Sequence, residues 1–110
     1  MQQKLITREE LRWKLEHGDE IKLVMTLCEP AYRAKHIPGS VHFATREEAL
    51  GALDPAEEII VYDSDVHCPA SIRAYQLLDQ KGYTRVRRYA GGIADWEDAN
   101  YPLEGDVALR

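Results

Sequence analysis

Short apolar runs alternate with amphipathic stretches along the whole chain, and glycine, proline or capping residues separate them. Ile59–Tyr62 is apolar at every position, which is typical of a parallel strand covered on both faces. Leu11 and Leu15 recur at helical spacing, as do the apolar residues between Ser71 and Lys81. From this pattern we predict, in chain order, a helix over about 7–17, a strand over 21–27, a helical turn over 31–34, a strand over 41–43, a helix over 45–50, a strand over 59–62, a helix over 71–81, a strand over 84–89 and a helix over 93–100.

The order of these elements predicts the fold class. Strands that alternate with helices imply a mostly parallel α/β sheet joined by right-handed crossovers. We therefore expect a single domain over residues 1–110. Thr7 and Thr45 each begin a capping-box pattern, and Ser71 is predicted to cap the helix after the central strand.

Size and composition are those of an ordinary globular domain: 110 residues, 45% hydrophobic and 30% charged. The net charge of -5 argues against general binding to nucleic acid or anionic membrane, which needs clustered basic surface. Arg85, Arg87 and Arg88 form the one basic cluster, which we interpret as a strand with a solvated face. The chain has no apolar run near 18 residues and no signal-peptide pattern, so we expect a cytoplasmic protein.

Cysteine and histidine spacing does not indicate a metal centre. Cys28 and Cys68 are isolated rather than paired as CxxC, and the histidines are scattered along the chain. We therefore expect no disulfide framework, no metal ion and no cofactor.

Three stretches together resemble a known family. The first is Tyr32–Ser40, in which a tyrosine precedes a His-Ile-Pro-Gly-Ser turn that we expect His36 to fix by hydrogen bonding. The second is Ile60–Tyr62, which leads into a polar loop and a helix. The third is Tyr89–Pro102, with a glycine pair, a tryptophan and a closing proline. Their order and spacing resemble the rhodanese-like domain family over nearly the whole chain.

This resemblance implies a three-layer fold with a five-stranded, mostly parallel central sheet flanked by helices. Active members of the family move sulfane sulfur from a donor such as thiosulfate to an acceptor through a cysteine persulfide. That cysteine is the first residue of the loop after the central strand, and backbone amides of the loop cradle it. The matching loop in this chain consists of Asp63, Ser64, Asp65, Val66, His67, Cys68, Pro69, Ala70 and Ser71.

The loop departs from the family pattern at its first position, where Asp63 cannot form a persulfide. Asp63 and Asp65 would also repel an anionic sulfur donor, and the loop has no lysine or arginine to offset them. By resemblance the loop is about two residues long for the family, and it matches a variant with a second cysteine at Cys68. By resemblance, Met25 and Leu27 replace an aspartate and an arginine, Ala31 replaces an acidic residue and Lys35 replaces a glycine. These changes remove the polar scaffold that the resemblance expects to brace the loop.

Two functions follow from these residues. The first, which we favour, is a recognition or regulatory pseudoenzyme with an unidentified protein partner or a small sulfur compound as its ligand. The second is a sulfur carrier that uses Cys68 as a displaced nucleophile, because a helix N-terminus lowers a thiol pKa and His67 is adjacent. A phosphatase signature fails, since four rather than five residues separate Cys68 from Arg73 and the loop has no glycine.

Overall fold

A computed structural model describes residues 3–107 of the chain. The ends of the predicted domain, 1–2 and 108–110, lie outside these described residues. Helices and strands alternate in the predicted order: α1 (Arg8–Glu16), β1 (Ile21–Met25), α2 (Glu29–Ala34), β2 (Val41–His42), α3 (Arg46–Ala52), β3 (Glu58–Tyr62), α4 (Ala70–Gln80), β4 (Val86–Tyr89) and α5 (Gly92–Asp98).

The strands form a parallel sheet in the order β2-β1-β3-β4, with β1 and β3 paired along their full lengths. The family resemblance implied five strands, and within residues 3–107 the sheet has four. A single parallel bridge at Leu5 occupies the position beside β4. The Ile6 amide donates to the Arg88 carbonyl at 3.1 Å, and the Arg88 amide donates to the Lys4 carbonyl at 2.8 Å. The pairing stops there because the next residue, Thr7, already caps α1.

Helices cover both faces of the sheet, which confirms the three predicted layers. Side chains alternate along a strand, so neighbouring residues of β3 enter different cores. Ile60 and Tyr62 pack with α1, α2 and α5, where Trp96 is the largest buried side chain. Ile59 and Val61 pack with α3 and α4. The end of β3 is therefore fixed from both sides.

Local capping sets the start of two helices as predicted. The Thr7 hydroxyl accepts a hydrogen bond from the Glu10 amide at 3.1 Å, and the Thr45 hydroxyl accepts one from the Glu48 amide at 3.1 Å. The Glu10 carboxylate pairs with Arg87 at 2.9 Å rather than returning to the cap.

Two predictions about polar residues are wrong. Ser71 does not cap α4, because the helix begins at Ala70 after Pro69 and Ser71 lies buried in its first turn. The basic strand is not solvated throughout, because Arg88 is only 7% exposed. The two buried side chains contact each other, because Arg88 donates a hydrogen bond to Ser71.

No helix within residues 3–107 has the length and apolar character needed to span a bilayer.

Candidate functional site

The predicted site lies where β3 ends and α4 begins, at the carboxyl edge of the sheet where α/β folds usually bind ligands. The strand residues Ile59 to Tyr62 are fully buried, and so is Asp63, which follows them directly. The loop then runs over the surface for a few residues before Ala70 starts the helix.

Asp63 is held at both its side chain and its backbone. Oδ2 accepts a hydrogen bond from the Ser71 amide at 2.8 Å, in the first turn of α4, where the helix dipole favours negative charge. The Asp63 carbonyl accepts a hydrogen bond from the Ile93 amide at 2.9 Å. Oδ1 is buried and has no hydrogen-bond partner among residues 3–107. The Asp63 carboxylate is therefore enclosed between the end of β3 and the first turn of α4.

Ser71 connects Asp63 to a second buried charge. Its hydroxyl accepts a hydrogen bond from Nε of Arg88 at 2.8 Å, and Nη1 of Arg88 contacts Oε1 of Gln3 at 3.4 Å. Nη2 is buried without a partner in the described part of the chain. Burying a charge is costly unless an opposite charge lies near, and Asp63 and Arg88 stand on either side of one serine.

Sequence reasoning missed Arg88, although a signal was available. Val86 and Arg88 are two positions apart on one strand, so their side chains share a face of the sheet. Val86 belongs to the core under α3 and α4, which places the arginine against α4 as well. An arginine in register with a buried apolar residue indicates an internal partner.

The rest of the loop turns around Asp65. Its Oδ1 accepts a hydrogen bond from the His67 amide at 2.9 Å, and its carbonyl accepts one from the Cys68 amide at 3.2 Å. Val66 is 60% exposed and the His67 side chain is also exposed. Two amides that could have faced an anion are thus bonded to the loop itself.

Cys68 is a partly exposed free thiol, two residues before α4. Among the described residues, none of the side-chain hydrogen bonds involves its sulfur or the ring of His67. Pro69 follows it as the N-cap residue of α4 and has no N–H to offer. The arrangement leaves the thiol beside the helix start without a donor that would hold a thiolate or a persulfide.

Gly92 allows α5 to approach the loop closely. Its φ is +64°, and a Cβ at this position would overlap the Asp63 carbonyl oxygen. The Ile93 and Ala94 amides at the start of α5 donate to the carbonyls of Asp63 and Ser64, each at 2.9 Å. The glycine pair therefore does more than turn the chain, because it also joins the loop to α5.

The Tyr32–Ser40 stretch packs against β3, the strand that leads into the loop. The Tyr62 hydroxyl donates to Oγ of Ser40 at 2.9 Å and accepts from the Ile37 amide at 3.0 Å. Burial raises the pKa of Tyr62 to about 12. The His36 ring was expected to fix the turn, but its Nδ1 lies 2.7 Å from the Tyr32 carbonyl and the two rings stack. It therefore holds the end of α2.

An open groove of about 560 Å³ lies next to the loop, over the carboxyl ends of β1 and β2. Neither Asp63 nor Cys68 lines it. We call it the α3–α4 groove, after the helices that form its walls, and its lining residues include Val24, Phe43, Arg46, Arg73 and Leu77. Within residues 3–107, no three His, Cys, Asp or Glu side chains are placed to hold a metal ion.

Comparison with known proteins relates the chain to one family and one fold. A sequence profile described as Rhodanese-like domain matches residues 7–99. The BH2092 protein from Bacillus halodurans is similar in structure, with a TM-score of 0.86 and 25% identity over 94% of this chain and 78% of that one. The rhodanese-like domain of the Alr3790 protein from Anabaena sp. has a TM-score of 0.85 and 24% identity, over 99% of this chain and 84% of that one.

An enzyme is also among the similar structures. The thiosulfate sulfurtransferase from Pseudomonas aeruginosa has a TM-score of 0.81 and 24% identity, over 94% of this chain but only 20% of that protein. At this identity the likeness shows the fold alone. No curated protein matches the sequence of this chain.

Proposed function

Since the chain belongs to the rhodanese-like domain family, we propose that it is a recognition or regulatory module without thiosulfate or persulfide sulfurtransferase activity. The observation that carries this proposal is the buried carboxylate of Asp63, bonded to the Ser71 amide where the family places its sulfur. A carboxylate cannot form a persulfide, and a fully buried one is closed to a sulfur donor.

The remaining loop supports the same proposal. Persulfide chemistry needs a thiolate and donors that stabilise its charge. The amides of His67 and Cys68 bond instead to Asp65, which is itself an acid and opposes an approaching anion. The loop has therefore lost its cradle together with its nucleophile.

A thiosulfate:cyanide sulfurtransferase assay on the purified chain tests this proposal. We expect cyanolysis at the rate of the buffer, and the same rate for Cys68→Ser. The sulfurtransferase from Pseudomonas aeruginosa provides a positive control with the same fold. Turnover by this chain that disappears in Cys68→Ser would overturn the proposal and identify Cys68 as the carrier.

A sulfur carrier based on Cys68 is the second candidate function. One observation favours it: the thiol is free, partly exposed and close to the start of α4. Peptide-resolved mass spectrometry after treatment with iodoacetamide, or with a polysulfide donor, separates the two candidates. Cys28 is an exposed cysteine in the same chain and provides an internal control. Our proposal predicts that Cys68 alkylates no faster than Cys28 and gains no sulfur atom.

Asp63→Cys separates loss of the nucleophile from loss of the cradle. We expect the variant to fold but to form no persulfide, because among residues 3–107 only the Ser71 amide donates to this side chain and the position is fully buried. Intact mass after incubation with thiosulfate measures sulfur loading, and circular dichroism confirms the fold. Stable addition of one sulfur atom would contradict the loss of the cradle.

A further inference from the structure

The shape of the α3–α4 groove suits an extended chain. One wall is a continuous face of α4 formed by Ala70, Arg73, Ala74 and Leu77. This face is about 10 Å long at 1.5 Å per residue, the length of about three residues of extended chain. The side chains of Ala70 and Ala74 are short, so the backbone of a bound peptide can approach α4 closely.

The floor of the groove is apolar and its rim is open. Val24 of β1, Phe43 after β2 and Ala49 of α3 belong to the core on this face of the sheet, and they line the floor. Thr45, Arg46 and Arg73 on the rim are exposed. Small-molecule sites usually bury about 70–90% of their ligand. This trough would leave a compact ligand largely in solvent, whereas a peptide can lie along it.

The charge of the groove differs from that of the surrounding surface. Most surface arginines within residues 3–107 contact a carboxylate, at 2.6–3.7 Å. Arg46 and Arg73 form no such pair in this part of the chain, and both line the α3–α4 groove. The acid beside them, Glu29, is already paired with Arg33 at 2.6 Å. Two uncompensated positive charges thus meet in one groove of a chain with net charge -5.

We propose that the α3–α4 groove docks an extended segment of a protein partner in which acidic and apolar residues alternate. Successive side chains of an extended chain point to opposite sides, so apolar residues contact the floor while carboxylates reach Arg46 and Arg73. Guanidinium groups bind carboxylates through paired hydrogen bonds, which favours this partner over a neutral one. This inference names the partner class and rests on the proposed function as a recognition module.

Titration of isotope-labelled protein with the blocked peptide Glu-Leu-Glu-Leu-Glu, followed by backbone NMR shifts, tests the inference. We expect saturable shifts at residues that line the groove. Arg46→Gln and Arg73→Gln should each weaken binding about 5–10-fold, as expected for one charged hydrogen-bonded contact. Arg85→Gln, which changes a surface arginine outside the groove, should bind as the wild type does. The neutral peptide Gln-Leu-Gln-Leu-Gln should bind at least about tenfold more weakly.

Three outcomes would overturn the inference: no saturable shifts, binding that neither arginine variant weakens, or glutarate and inorganic phosphate binding the same residues as tightly as the peptide. The last would identify a site for small anions. The sulfurtransferase assay is independent of these measurements. An inactive chain that fails to bind the peptide contradicts only the groove, whereas cyanolysis that depends on Cys68 contradicts the proposed function whatever the peptide does.

Discussion

Charged side chains are buried around the first residue of the loop, whereas those in the neighbouring α3–α4 groove are exposed. Asp63 and Arg88 are both buried, and both hydrogen-bond to Ser71, Asp63 to its amide and Arg88 to its hydroxyl. Arg46 and Arg73 are exposed and unpaired in the described residues, so their charges face solvent. Burial requires compensation inside the molecule because water is excluded, whereas an exposed charge has no such requirement.

This difference separates stability from binding along one edge of the sheet. Asp63, the first residue of the loop, is part of the packed interior. The groove next to it keeps charges that can meet a partner. Substitutions at the loop should therefore change the free energy of unfolding, and substitutions in the groove should leave it nearly unchanged.

Gly92→Ala should give the largest effect, because an added Cβ meets the Asp63 carbonyl and φ is +64°. We expect a loss of about 3–5 kcal/mol in the free energy of unfolding, measured by urea denaturation. Gly51→Ala is the matched control, since this glycine lies in α3 and a Cβ added to it would have no other atom within 4 Å. It should be neutral or stabilising by up to about 1 kcal/mol. Equal stability of both variants would contradict the close approach of α5.

Asp63→Ala should cost about 2–4 kcal/mol, because it leaves the Ser71 amide without an acceptor and Arg88 without an opposite charge. The double variant Asp63→Ala/Arg88→Met should lose less free energy of unfolding than the sum of the losses of the two single variants. Asp65→Asn, on the exposed part of the loop, is the control, with a change below about 1 kcal/mol. Strictly additive losses would show that the two buried charges do not interact.

Glu58→Gln tests a partly buried ion-pair cluster at the opposite end of β3. Burial raises the pKa of Glu58, but hydrogen bonds from Lys14 and Arg87 outweigh it and lower the pKa below the ordinary 4.5. A carboxylate with a lowered pKa stabilises the fold above its unfolded pKa, and this stabilisation is lost as the pH falls through the folded value. We expect Glu58→Gln to cost about 1–2 kcal/mol at pH 7.

The pH series supplies the check on this ion pair. Urea denaturation from pH 7 downward should show the wild type and Glu58→Gln converging as the pH falls below about 4.5. A difference that stays constant across this range would mean that packing, rather than charge, accounts for the loss.

Arg46→Gln and Arg73→Gln should have the smallest effect on stability, below about 0.5 kcal/mol each, because neither side chain bonds to another described residue. Urea denaturation of both variants at pH 7 measures this directly. A loss above about 1 kcal/mol would show that these arginines support the fold, and would remove the contrast with Asp63 and Arg88.

Much of the fold could be predicted because it depends on patterns between near neighbours. The apolar run of β3 and the threonine caps of α1 and α3 involve residues a few positions apart. The fifth strand could not be predicted in this way. Whether the segment around Leu5 extends the sheet depends on how far it follows β4 before α1 begins, and it pairs through one bridge.

The candidate site was less predictable, because its contacts join distant parts of the chain. A serine before a helical run indicates a cap, yet Ser71 lies inside the helix and receives Nε of Arg88 from another strand. The approach of α5 to Asp63 likewise depends on Gly92, far along the sequence. No local pattern reports which of several polar residues will share a buried contact.

By itself the sequence determined the order of the elements and the presence of a carboxylate, not a thiol, at the first loop position. These follow from residue identity and short-range periodicity. Only the tertiary structure decided that Asp63 is enclosed with Ser71 and Arg88, and that Arg46 and Arg73 open into one groove. The physical reason is that burial and charge compensation are set by which helices and strands pack together, so they belong to the assembled sheet and its two helical layers.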